Sequence, residues 1–463
     1  MVERSSIASS ISQHKQFPSP AAPAVRMMWR NVSFVDKIEL HFTGNVVTQS
    51  MVLGDVDNDG ENELVVGNID GDLAIFKGDS SLPMKRASNL GMITCVRIGD
   101  IFNVGKNFLV CLTAEGCCNI FDIKPMLTEE SSRGDDESHG NSGGCESRVV
   151  YPAYTQNLPA NCRAMLIRDT DGDGLVEMAV TYSDRVVRRF RWEPAGEHEA
   201  YSGLPYPGRL HQVDRWQLAG QIGAVTMDSN AEGKPELLVS QPGRTYVTLL
   251  QRSTRQDTTP SSESEETKSP SLVFHPLGHS RVRNKDVTTV IIGGIQRGRG
   301  CSSTYHALAS LDGTLVLVEK DKILWSLQVD HRLFVLDKLD VTGNGQEEVV
   351  CCSWDGQTYI VNHSREVVRY HFKENVAAFA AGYYCVPGKG NVPCFVYATF
   401  KNQLYIYHNI NLPCVESASL LPVMEKRPST HQLLEKLGVD ATKPDMVQSF
   451  YHWTLYGWKP SKM

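Results

Sequence analysis

The sequence lacks any apolar run long enough to cross a membrane. A spanning helix needs about 18 or more consecutive apolar residues, and no segment of the 463 residues approaches that length. Residues 1–20 also lack the apolar segment on which a secretory signal depends. We therefore expect a cytoplasmic protein that is not inserted in a membrane.

An excess of positive charge is also missing. The chain has 46 Lys and Arg residues against 53 Asp and Glu residues, and its net charge is -7 with a pI near 6.1. Proteins that bind nucleic acid usually carry a basic surface, and a polybasic patch is needed to hold an anionic membrane. The charge balance therefore disfavours nucleic acid as a partner and disfavours direct binding to an anionic membrane.

Catalytic motifs are absent as well. Among 14 histidines there is no H-E-x-x-H pair, and the sequence contains neither G-x-S-x-G nor a phosphate-binding G-x-x-x-x-G-K-[ST] loop. The glycine-rich stretch Gly294–Gly300 lacks the strand–loop–helix context that phosphate binding needs. The sequence therefore predicts a protein that is not an enzyme.

The twelve cysteines form no C-x-x-C motif. Two adjacent pairs, Cys117/Cys118 and Cys351/Cys352, lie in strand-like runs, where neighbouring side chains point to opposite faces. This arrangement disfavours a zinc site. We expect reduced thiols that are buried as small apolar side chains.

What the sequence does contain is a repeated acidic loop that leads directly into a short apolar strand. Two copies are complete: Asp55–Glu63 before LVVGN and Asp169–Glu177 before MAVTY. Two more, Asp228–Glu236 and Asp340–Glu348, have lost some acidic positions. Further degenerate copies, which bring the number to seven, begin at Asp100, near Gly294 and near Gly382.

Each loop is followed by a tight turn and a second apolar strand, as in IDGDLAIF and LDGTLVLV. Gly, Asp or Asn stands where a hairpin turn needs a positive φ. Neighbouring loops begin 45 residues apart at Asp55 and Asp100, and 42 apart at Asp340 and Gly382, which is the length of one four-stranded propeller blade. The sequence predicts an all-β fold, a seven-bladed β-propeller over residues 29–420, with Val32–Leu40 closing the last blade.

Three polar segments flank or interrupt the repeats. Residues 1–28 are rich in Ser, Pro and Ala, and residues 128–147 and 253–271 are polar and nearly free of apolar side chains. Segments of this kind cannot bury enough apolar surface to fold. We predict a disordered N-terminal extension and two disordered insertions on the rim of the propeller.

Residues 421–463 are predicted to form a short helical C-terminal tail. Ser429–Gly438 has a serine N-cap, a glutamine three residues later and a glycine stop. Lys443–Leu455 has a proline in its first turn and apolar residues near one face. We expect two short helices that form a cap on the propeller or a docking element.

The two complete loops carry the oxygen atoms that calcium prefers. Side chains at loop positions 1, 3 and 5 converge in a tight turn, position 7 offers a carbonyl, and the carboxylate at position 9 closes the site. Glu61 and Leu175 would act through their carbonyls. The candidate calcium ligands are Asp55, Asp57, Asp59, Glu61 and Glu63 in the first loop and Asp169, Asp171, Asp173, Leu175 and Glu177 in the second.

A second interpretation of these loops needs no metal. Asp and Asn side chains also stabilise tight turns by accepting hydrogen bonds from the loop's own backbone N–H groups. Resting cytosolic calcium is scarce compared with the weak sites typical of extracellular modules. In both interpretations the loops are structural, so the sequence predicts that no cofactor is required and that calcium is the one candidate ion.

The loop pattern D-x-D-x-D-G-x-x-[D/E] before an apolar strand, repeated at blade spacing, resembles the FG-GAP repeat of integrin α-subunit propellers. The segments TDGDGLVEMAV, LDVTGNGQEEVV and WDGQTYIV are similar, more specifically, to the cytosolic family of integrin-alpha FG-GAP repeat-containing protein 2. The similarity runs from about residue 30 to about residue 457, without the two insertions. One departure from the integrin pattern is Glu at positions 63 and 177, where integrins usually carry Asp.

This resemblance implies a function. Proteins of this family belong to the KICSTOR complex, together with kaptin and a very large seizure-threshold scaffold protein. The resemblance implies a non-catalytic scaffold that helps to hold the GATOR complex at lysosomes and restrains TOR kinase signalling when amino acids or glucose are short. It also implies that the protein is cytoplasmic and is recruited to the lysosomal surface by its partners.

Two competing interpretations use the same repeats. A WD40 propeller has a similar period, but Trp354-Asp355 is the only W-D dipeptide, and it opens a hairpin turn instead of ending a strand. A calcium-dependent ligand-binding or adhesion propeller of the integrin type would need export and usually disulfides. The sequence supports neither requirement, so the scaffold function is favoured.

Overall fold

The computed structural model describes residues 29–124, 148–196, 205–230, 232–243, 245–250, 271–277, 287–301, 304–416, 432–433, 435–440 and 443–457. The predictions of disorder for residues 1–28, 128–147 and 253–271 lie outside these ranges, except at residue 271. Within the described ranges, no helix is both long and apolar enough to span a membrane.

The described strands form seven sheets, which are the blades of a β-propeller. Consecutive strands within a blade are antiparallel neighbours. The prediction of a seven-bladed all-β propeller is therefore confirmed, while the predicted domain bounds stay a prediction.

The strands of the first four blades are as follows. Blade 1 consists of β3 (Met51–Gly54), β4 (Glu63–Gly67), β5 (Leu73–Phe76) and β6 (Lys85–Ala87), and blade 2 of β7 (Ile93–Gly99), β8 (Phe108–Thr113), β9 (Cys117–Phe121) and β10 (Tyr154–Asn157). Blade 3 consists of β11 (Cys162–Arg168), β12 (Glu177–Tyr182), β13 (Val186–Pro194) and β14 (Gly208–Gln217), and blade 4 of β15 (Val225–Ser229), β16 (Pro235–Gln241), β17 (Thr245–Leu249) and β18 (Leu272–Pro276).

The other three blades include two strands from the start of the chain, β1 (Arg30–Val32) and β2 (Lys37–Leu40). Blade 5 consists of β19 (Thr289–Gln296), β20 (Thr304–Ser310), β21 (Thr314–Glu319) and β22 (Lys322–Gln328), and blade 6 of β23 (Leu333–Leu339), β24 (Glu348–Ser353), β25 (Gln357–Val361), β26 (Val367–His371) and β1. Blade 7 consists of β27 (Val376–Val386), β28 (Gly390–Thr399), β29 (Leu404–His408) and β2.

The middle strands of a blade are apolar on both faces because each blade packs between two others. β4, β8 and β24 are buried at every position. The outer strand β10 instead alternates between half-buried and exposed positions. Middle strands therefore read as continuous apolar runs, and outer strands read as alternating ones.

The first strand of each blade lies nearest the axis of the propeller. Each first strand contacts those of both neighbouring blades, and β27 contacts β3, so the ring is closed. Together these strands line a central cavity of about 610 Å³.

The chain closes its ring with a strand from near its start. β2 pairs antiparallel with β29, and Leu40 lies opposite Leu404. The prediction that Val32–Leu40 forms this strand is only partly right, because β2 begins at Lys37 and Val32 ends β1, which pairs in parallel with β26 of blade 6. Alternation runs through the whole segment, so the pattern alone does not show where the chain crosses from one blade to the next.

Within the part of the C-terminal tail that the structure describes, one helix is complete, α1 (Pro444–Tyr456), with its proline in the first turn as predicted. It ends at Gly457, whose φ is +67°. Residues 432–433 and 435–436 are also helical, and the Gly438 N–H donates to the Glu435 carbonyl. Ser429, the predicted N-cap of that segment, lies outside the described residues.

We predict that the β2 seam contributes strongly to stability. Leu40 is 5% exposed and packs in a core shared by blades 7 and 1. Leu40→Ala should destabilise the protein by about 2–4 kcal/mol, measured as a lower melting temperature by differential scanning calorimetry. Val35→Ala is the matched control, because Val35 is 84% exposed and surface changes usually cost less than about 0.5 kcal/mol. Equal effects of the two substitutions would contradict closure by β2.

Candidate metal centre in the acidic loops

The acidic loops occupy equivalent places in their blades. Loop 1 (residues 55–63) joins β3 to β4, and loop 3 (residues 169–177) joins β11 to β12. Both connections run from the strand nearest the axis to the second strand of the blade. The two loops therefore lie at the same end of the propeller.

The carboxylates of loop 1 hold the turn together. Asp55 accepts the backbone N–H groups of Asp59 and Gly60 at 3.1 and 3.0 Å. Glu63 is fully buried and accepts the Val56 N–H at 2.9 Å. Gly60 has a φ of +88°, which a residue with a side chain would adopt only with strain. The first and last acidic positions thus stabilise the backbone of the loop.

Loop 3 repeats this arrangement. Asp169 accepts the N–H groups of Gly172 and Gly174 at 2.6 and 2.9 Å. The buried Glu177 accepts the Thr170 N–H at 2.8 Å. The same residue types at the same spacing therefore produce the same turn in two blades.

A lysine occupies the centre of loop 1. Lys77 directly follows β5, and its Nζ lies 3.1 Å from Asp57 Oδ2 and 2.9 Å from Glu63 Oε1. The same nitrogen also donates a hydrogen bond to Asp59 and lies 3.7 Å from the carboxylate of Glu61. Three of the four predicted side-chain ligands in this loop, Asp57, Asp59 and Glu63, therefore surround a cation of the protein itself.

Two arginines occupy the corresponding place in loop 3. Arg191 lies 2.9 Å from Asp171 and 2.8 Å from Asp173, and it also pairs with Glu177. Arg189 lies 2.8 Å from Asp171. The predicted side-chain ligands of this loop at positions 3, 5 and 9 are thus all paired with guanidinium groups.

Burial and the ion pairs set the protonation behaviour of loop 1. Burial raises the pKa of Glu63 to about 7, although Lys77 acts in the opposite direction. Burial also raises the pKa of Asp57. For Lys77, burial alone would lower the pKa, but the hydrogen bonds that it donates to Asp59 and Glu63 outweigh burial and raise the pKa. Lys77 therefore stays charged throughout the physiological range.

The same competition operates in loop 3. Burial would lower the pKa of Arg191, but its hydrogen bond and charge pairing with Glu177 outweigh burial and raise it. Burial would raise the pKa of Asp173, but the Leu175 N–H and Arg191 lower it. The ion pair between Arg191 and Asp173 therefore favours the charged form of both groups.

Calcium would have to share these oxygens with the basic side chains. Calcium takes six to eight oxygen ligands at about 2.3–2.6 Å. Among the described residues, two clusters of three carboxylates have oxygens that all lie within 4.8 Å of one another. One cluster is Asp55, Asp57 and Glu63, and the other is Asp169, Asp171 and Glu177. Two buried carboxylate oxygens of loop 1 accept no hydrogen bond, Asp57 Oδ1 and Glu63 Oε1. Glu63 Oε1 still forms an ion pair with Lys77, so Asp57 Oδ1 alone has no partner. With Lys77, Arg189 and Arg191 in place, the loops do not fit calcium, and the predicted ligation stays a prediction.

The two predicted carbonyl ligands are exposed. The Glu61 N–H donates to Asp59 and the Leu175 N–H donates to Asp173, both at 2.9 Å. In each loop, these hydrogen bonds hold the carboxylate at position 5 against the backbone N–H of position 7. Each loop therefore keeps the backbone shape of the pattern at these positions as well.

Loop 6 (residues 340–348) keeps the turn although, among the described residues, no basic side chain pairs with its Asp340 or Glu348; Lys338 pairs with Glu347 instead. Asp340 accepts the N–H groups of Gly343 and Gly345 at 2.7 and 2.8 Å, and the buried Glu348 accepts the Val341 N–H at 2.9 Å. Burial raises the pKa of Glu348 to about 7. Burial thus makes the carboxyl group of Glu348 a weaker acid than an exposed glutamate.

The repeat in blade 4 is not an acidic loop. The Asn230 N–H donates to the Lys234 carbonyl at 2.8 Å, which closes a tight hairpin, so Asp228 lies within β15 opposite Glu236. The Asp228 carboxylate instead pairs with His306 of blade 5 at 3.0 Å. The interpretation of Asp228 as the first residue of a loop is therefore wrong.

Asparagines join the loops of neighbouring blades. Asn58 of loop 1 exchanges hydrogen bonds with the backbone of Asn107 at 3.1 and 2.6 Å. Asn103 does the same with Val176 of loop 3 at 3.3 and 2.6 Å. Asn391 of blade 7 accepts the Asn62 N–H at 2.8 Å. These contacts link blades 7, 1, 2 and 3 in order at one end of the propeller.

The family of integrin-alpha FG-GAP repeat-containing protein 2 matches this chain over residues 77–412. The chain belongs to this family. A relative from Mus musculus, named KICSTOR complex protein ITFG2, is 43% identical over 438 residues, covering 92% of this chain and 96% of the relative. A Bos taurus protein of the same name is 43% identical over 451 residues, covering 91% and 81%. The family resemblance predicted from the repeats is confirmed.

Solved structures show a similar fold. Two crystal structures of BBS1N in complex with ARL6DN, soaked with mercury and with lead, have TM-scores of 0.54 and 0.52 to this chain at 14% and 13% identity. They cover 81% and 82% of this chain and 96% and 97% of their own. At this identity the likeness concerns the fold alone.

Sequence reasoning missed the basic side chains that close the loops. Lys77, Arg189 and Arg191 lie on or just after the third strand of their blades. A signal was available, because a lysine ends the otherwise apolar run LAIFK and three arginines, Arg189 and Arg191 among them, interrupt VVRRFRW. Their meaning depends on the hairpin register, which places residue 191 opposite residue 177.

We predict that Glu348 makes the stability of the protein pH-dependent. Its pKa rises from 4.5 to about 7 on folding, so the folded state keeps a proton that the unfolded state loses between these values. Stability should therefore fall as pH rises through this window, by at most about 3 kcal/mol. Glu348→Gln should be more stable than the wild type at about pH 8 and similar at about pH 4.5 in calorimetric melts. Glu232→Gln, in an exposed hairpin, is the control, and a parallel pH profile for wild type and Glu348→Gln would contradict the assignment.

Proposed function

We propose that this chain is a non-catalytic scaffold subunit of a KICSTOR complex. The observation that carries the proposal is 43% identity to a mouse protein of that name over more than nine-tenths of both chains. At this level of identity and coverage, the whole propeller corresponds between the two proteins. A shared assembly is therefore a better inference than a shared fold alone.

The structure of the acidic loops supports a scaffold role. Their carboxylates accept backbone N–H groups and pair with Lys77, Arg189 and Arg191. Groups occupied in this way stabilise the blades and are not available for acid–base chemistry on a substrate. A closed ring of seven blades offers two ends and a rim as surfaces for partners.

The finer function follows from the family resemblance. In this proposal the chain assembles with kaptin and the large seizure-threshold scaffold protein, and reaches the GATOR complex through them. The assembly holds GATOR at lysosomes and restrains TOR kinase complex signalling when amino acids or glucose are short. The chain is cytoplasmic and is recruited to the lysosomal membrane surface by its partners.

The tail is the proposed docking element. In α1 the side chain of Trp453 is 40% exposed, and those of Leu455 and Tyr456 are 72% and 66% exposed. Phe450 is buried against Val439, Val447 and Tyr451 of the tail itself. A short helix with exposed apolar side chains can bind in a partner's groove, and residues 421–463 therefore provide a segment that can bind without disturbing the blades.

The alternative is a calcium-dependent adhesion propeller of the integrin type. That function requires loops that take up calcium, and the basic side chains in loops 1 and 3 oppose this. We therefore favour the scaffold function.

The assembly is tested by purification from cells. Tagged full-length chain should co-purify with kaptin and the large scaffold protein, and it should be diffuse in cells that lack the scaffold protein. Deletion of residues 429–463 should abolish co-purification while leaving the melting temperature of the propeller nearly unchanged. Retention of all partners by the deletion variant would overturn the tail proposal alone. Absence of both partners from the full-length sample, or tight binding of the purified chain to lysosome-like vesicles, would overturn the proposed function.

A further inference from the structure

The basic residues of loops 1 and 3 come from one structural position. In blade 3, Arg191 lies directly opposite Glu177 in the β12–β13 ladder. In blade 1, Leu64 lies opposite Phe76, so Glu63 and Lys77 are the next facing pair along the same ladder. The residue opposite the last loop carboxylate, here called the facing residue, is therefore basic in both blades that keep a complete acidic loop.

The other blades provide comparisons within the same chain. In blade 2 the ninth loop position is Phe108, and the facing residue is Asp122, one step beyond the pair Leu109 and Phe121. The polarity of the ion pair is reversed there, since Lys106 within the loop lies 2.8 Å from Asp122. The loop of blade 2 has only Asp100 and Lys106 as charged residues, and its facing residue is an anion that pairs with that lysine.

Two further blades lack a charged facing residue. In blade 6 the ladder pair Val349 and Val361 places Asn362 opposite Glu348, and in loop 6 Thr342 and Asn344 replace two carboxylates. In blade 4 the facing residue is Leu250, and no acidic loop is formed. Among these five blades, a basic facing residue is therefore found only opposite the two complete acidic loops.

Charge and geometry explain why a side chain can take the place of an ion. The Lys77 Nζ lies between Asp57, Asp59 and Glu63 at hydrogen-bonding distance. A calcium ion bound to the same oxygens would need to be about 2.3–2.6 Å from them, which would bring it close to the ammonium nitrogen. At such short range, the repulsion between calcium and the lysine ammonium group would outweigh the attraction between calcium and the carboxylates. Lysine and calcium therefore exclude each other.

We propose that Lys77 in loop 1, and Arg191 with Arg189 in loop 3, are built-in cations that replace calcium, and that the facing residue decides whether an acidic loop takes up a metal. Wild-type protein then folds and functions without calcium. Removing the Lys77 charge leaves Asp55, Asp57, Asp59 and Glu63 around a space without a cation, and creates a calcium site in loop 1. This inference does not depend on the proposed scaffold function.

The test measures calcium binding to purified full-length protein. Wild type should show no calcium binding by isothermal titration calorimetry at millimolar calcium, and its melting temperature should differ by less than about 1 °C between calcium and chelator. Lys77→Met keeps most of the side-chain volume without the charge. It should bind calcium, and calcium should raise its melting temperature by about 2 °C or more. Magnesium should do so less, because it demands a smaller octahedral site.

Two controls separate the role of the facing charge from a general loss of stability. Lys77→Arg keeps the positive charge and should remain insensitive to calcium. Lys106→Met removes a lysine that pairs with Asp122 in the degenerate loop of blade 2, where the set of calcium-ligating carboxylates is incomplete, and it should lose stability equally in calcium and in chelator. Calcium binding by wild type, or folded Lys77→Met that does not respond to calcium, would overturn the proposal.

A second variant covers the case in which Lys77→Met does not fold. Asp57→Asn removes one carboxylate of loop 1 and leaves Lys77 bonded to Asp59 and Glu63. If Lys77 is the resident cation, this substitution should change the melting temperature by the same amount in calcium and in chelator. A loss of stability seen only in calcium would identify calcium as the occupant and would overturn the proposal.

Discussion

Closure of the ring between β2 and β29 is the constraint on which the other blades depend. Each blade buries its two faces only against its neighbours, so an open seam would expose two apolar faces and a strand edge. Leu40 and Ile406 of blade 7 share one core with Met51 and Leu64 of blade 1. A segment near the start of the chain therefore completes the sheet formed by its last strands, and in doing so covers the face of blade 1.

The acidic loops extend this constraint to one end of the ring. Their asparagines bond across to the next loop, as Asn58 does to Asn107 and Asn103 does to Val176. A loop that changed its shape would break these contacts between blades. The carboxylates must therefore stay close together, and their mutual repulsion has to be offset by a positive charge. Lys77 and Arg191 supply that charge from within the same blade.

The seven blades could be predicted because apolar runs and turns recur at a regular spacing, which depends on local chemistry. The crossing from β1 to β2 could not be predicted from the sequence. Val32 and Lys37 belong to one alternating segment, but Val32 pairs with blade 6 and Lys37 pairs with blade 7. The acidic ligands of the candidate site are contiguous in sequence and were visible for that reason. Lys77 lies 14 residues after Glu63, and only the register of the hairpin brings the two together. Side chains that meet across a ladder become recognisable once that register is known.

A built-in cation changes what the stability of the propeller depends on. A bound ion stabilises a fold according to its concentration relative to its dissociation constant, so a propeller that relied on calcium would weaken wherever calcium is scarce. Lys77 is present at fixed stoichiometry, and the surrounding carboxylates keep it charged. The contacts between blades 7, 1, 2 and 3 then persist at any calcium concentration. In the proposed scaffold function, partners bind to surfaces that the contacts between these blades hold in place. Stability that does not depend on the calcium concentration therefore matters more for this function than the additional charge that an ion would bring.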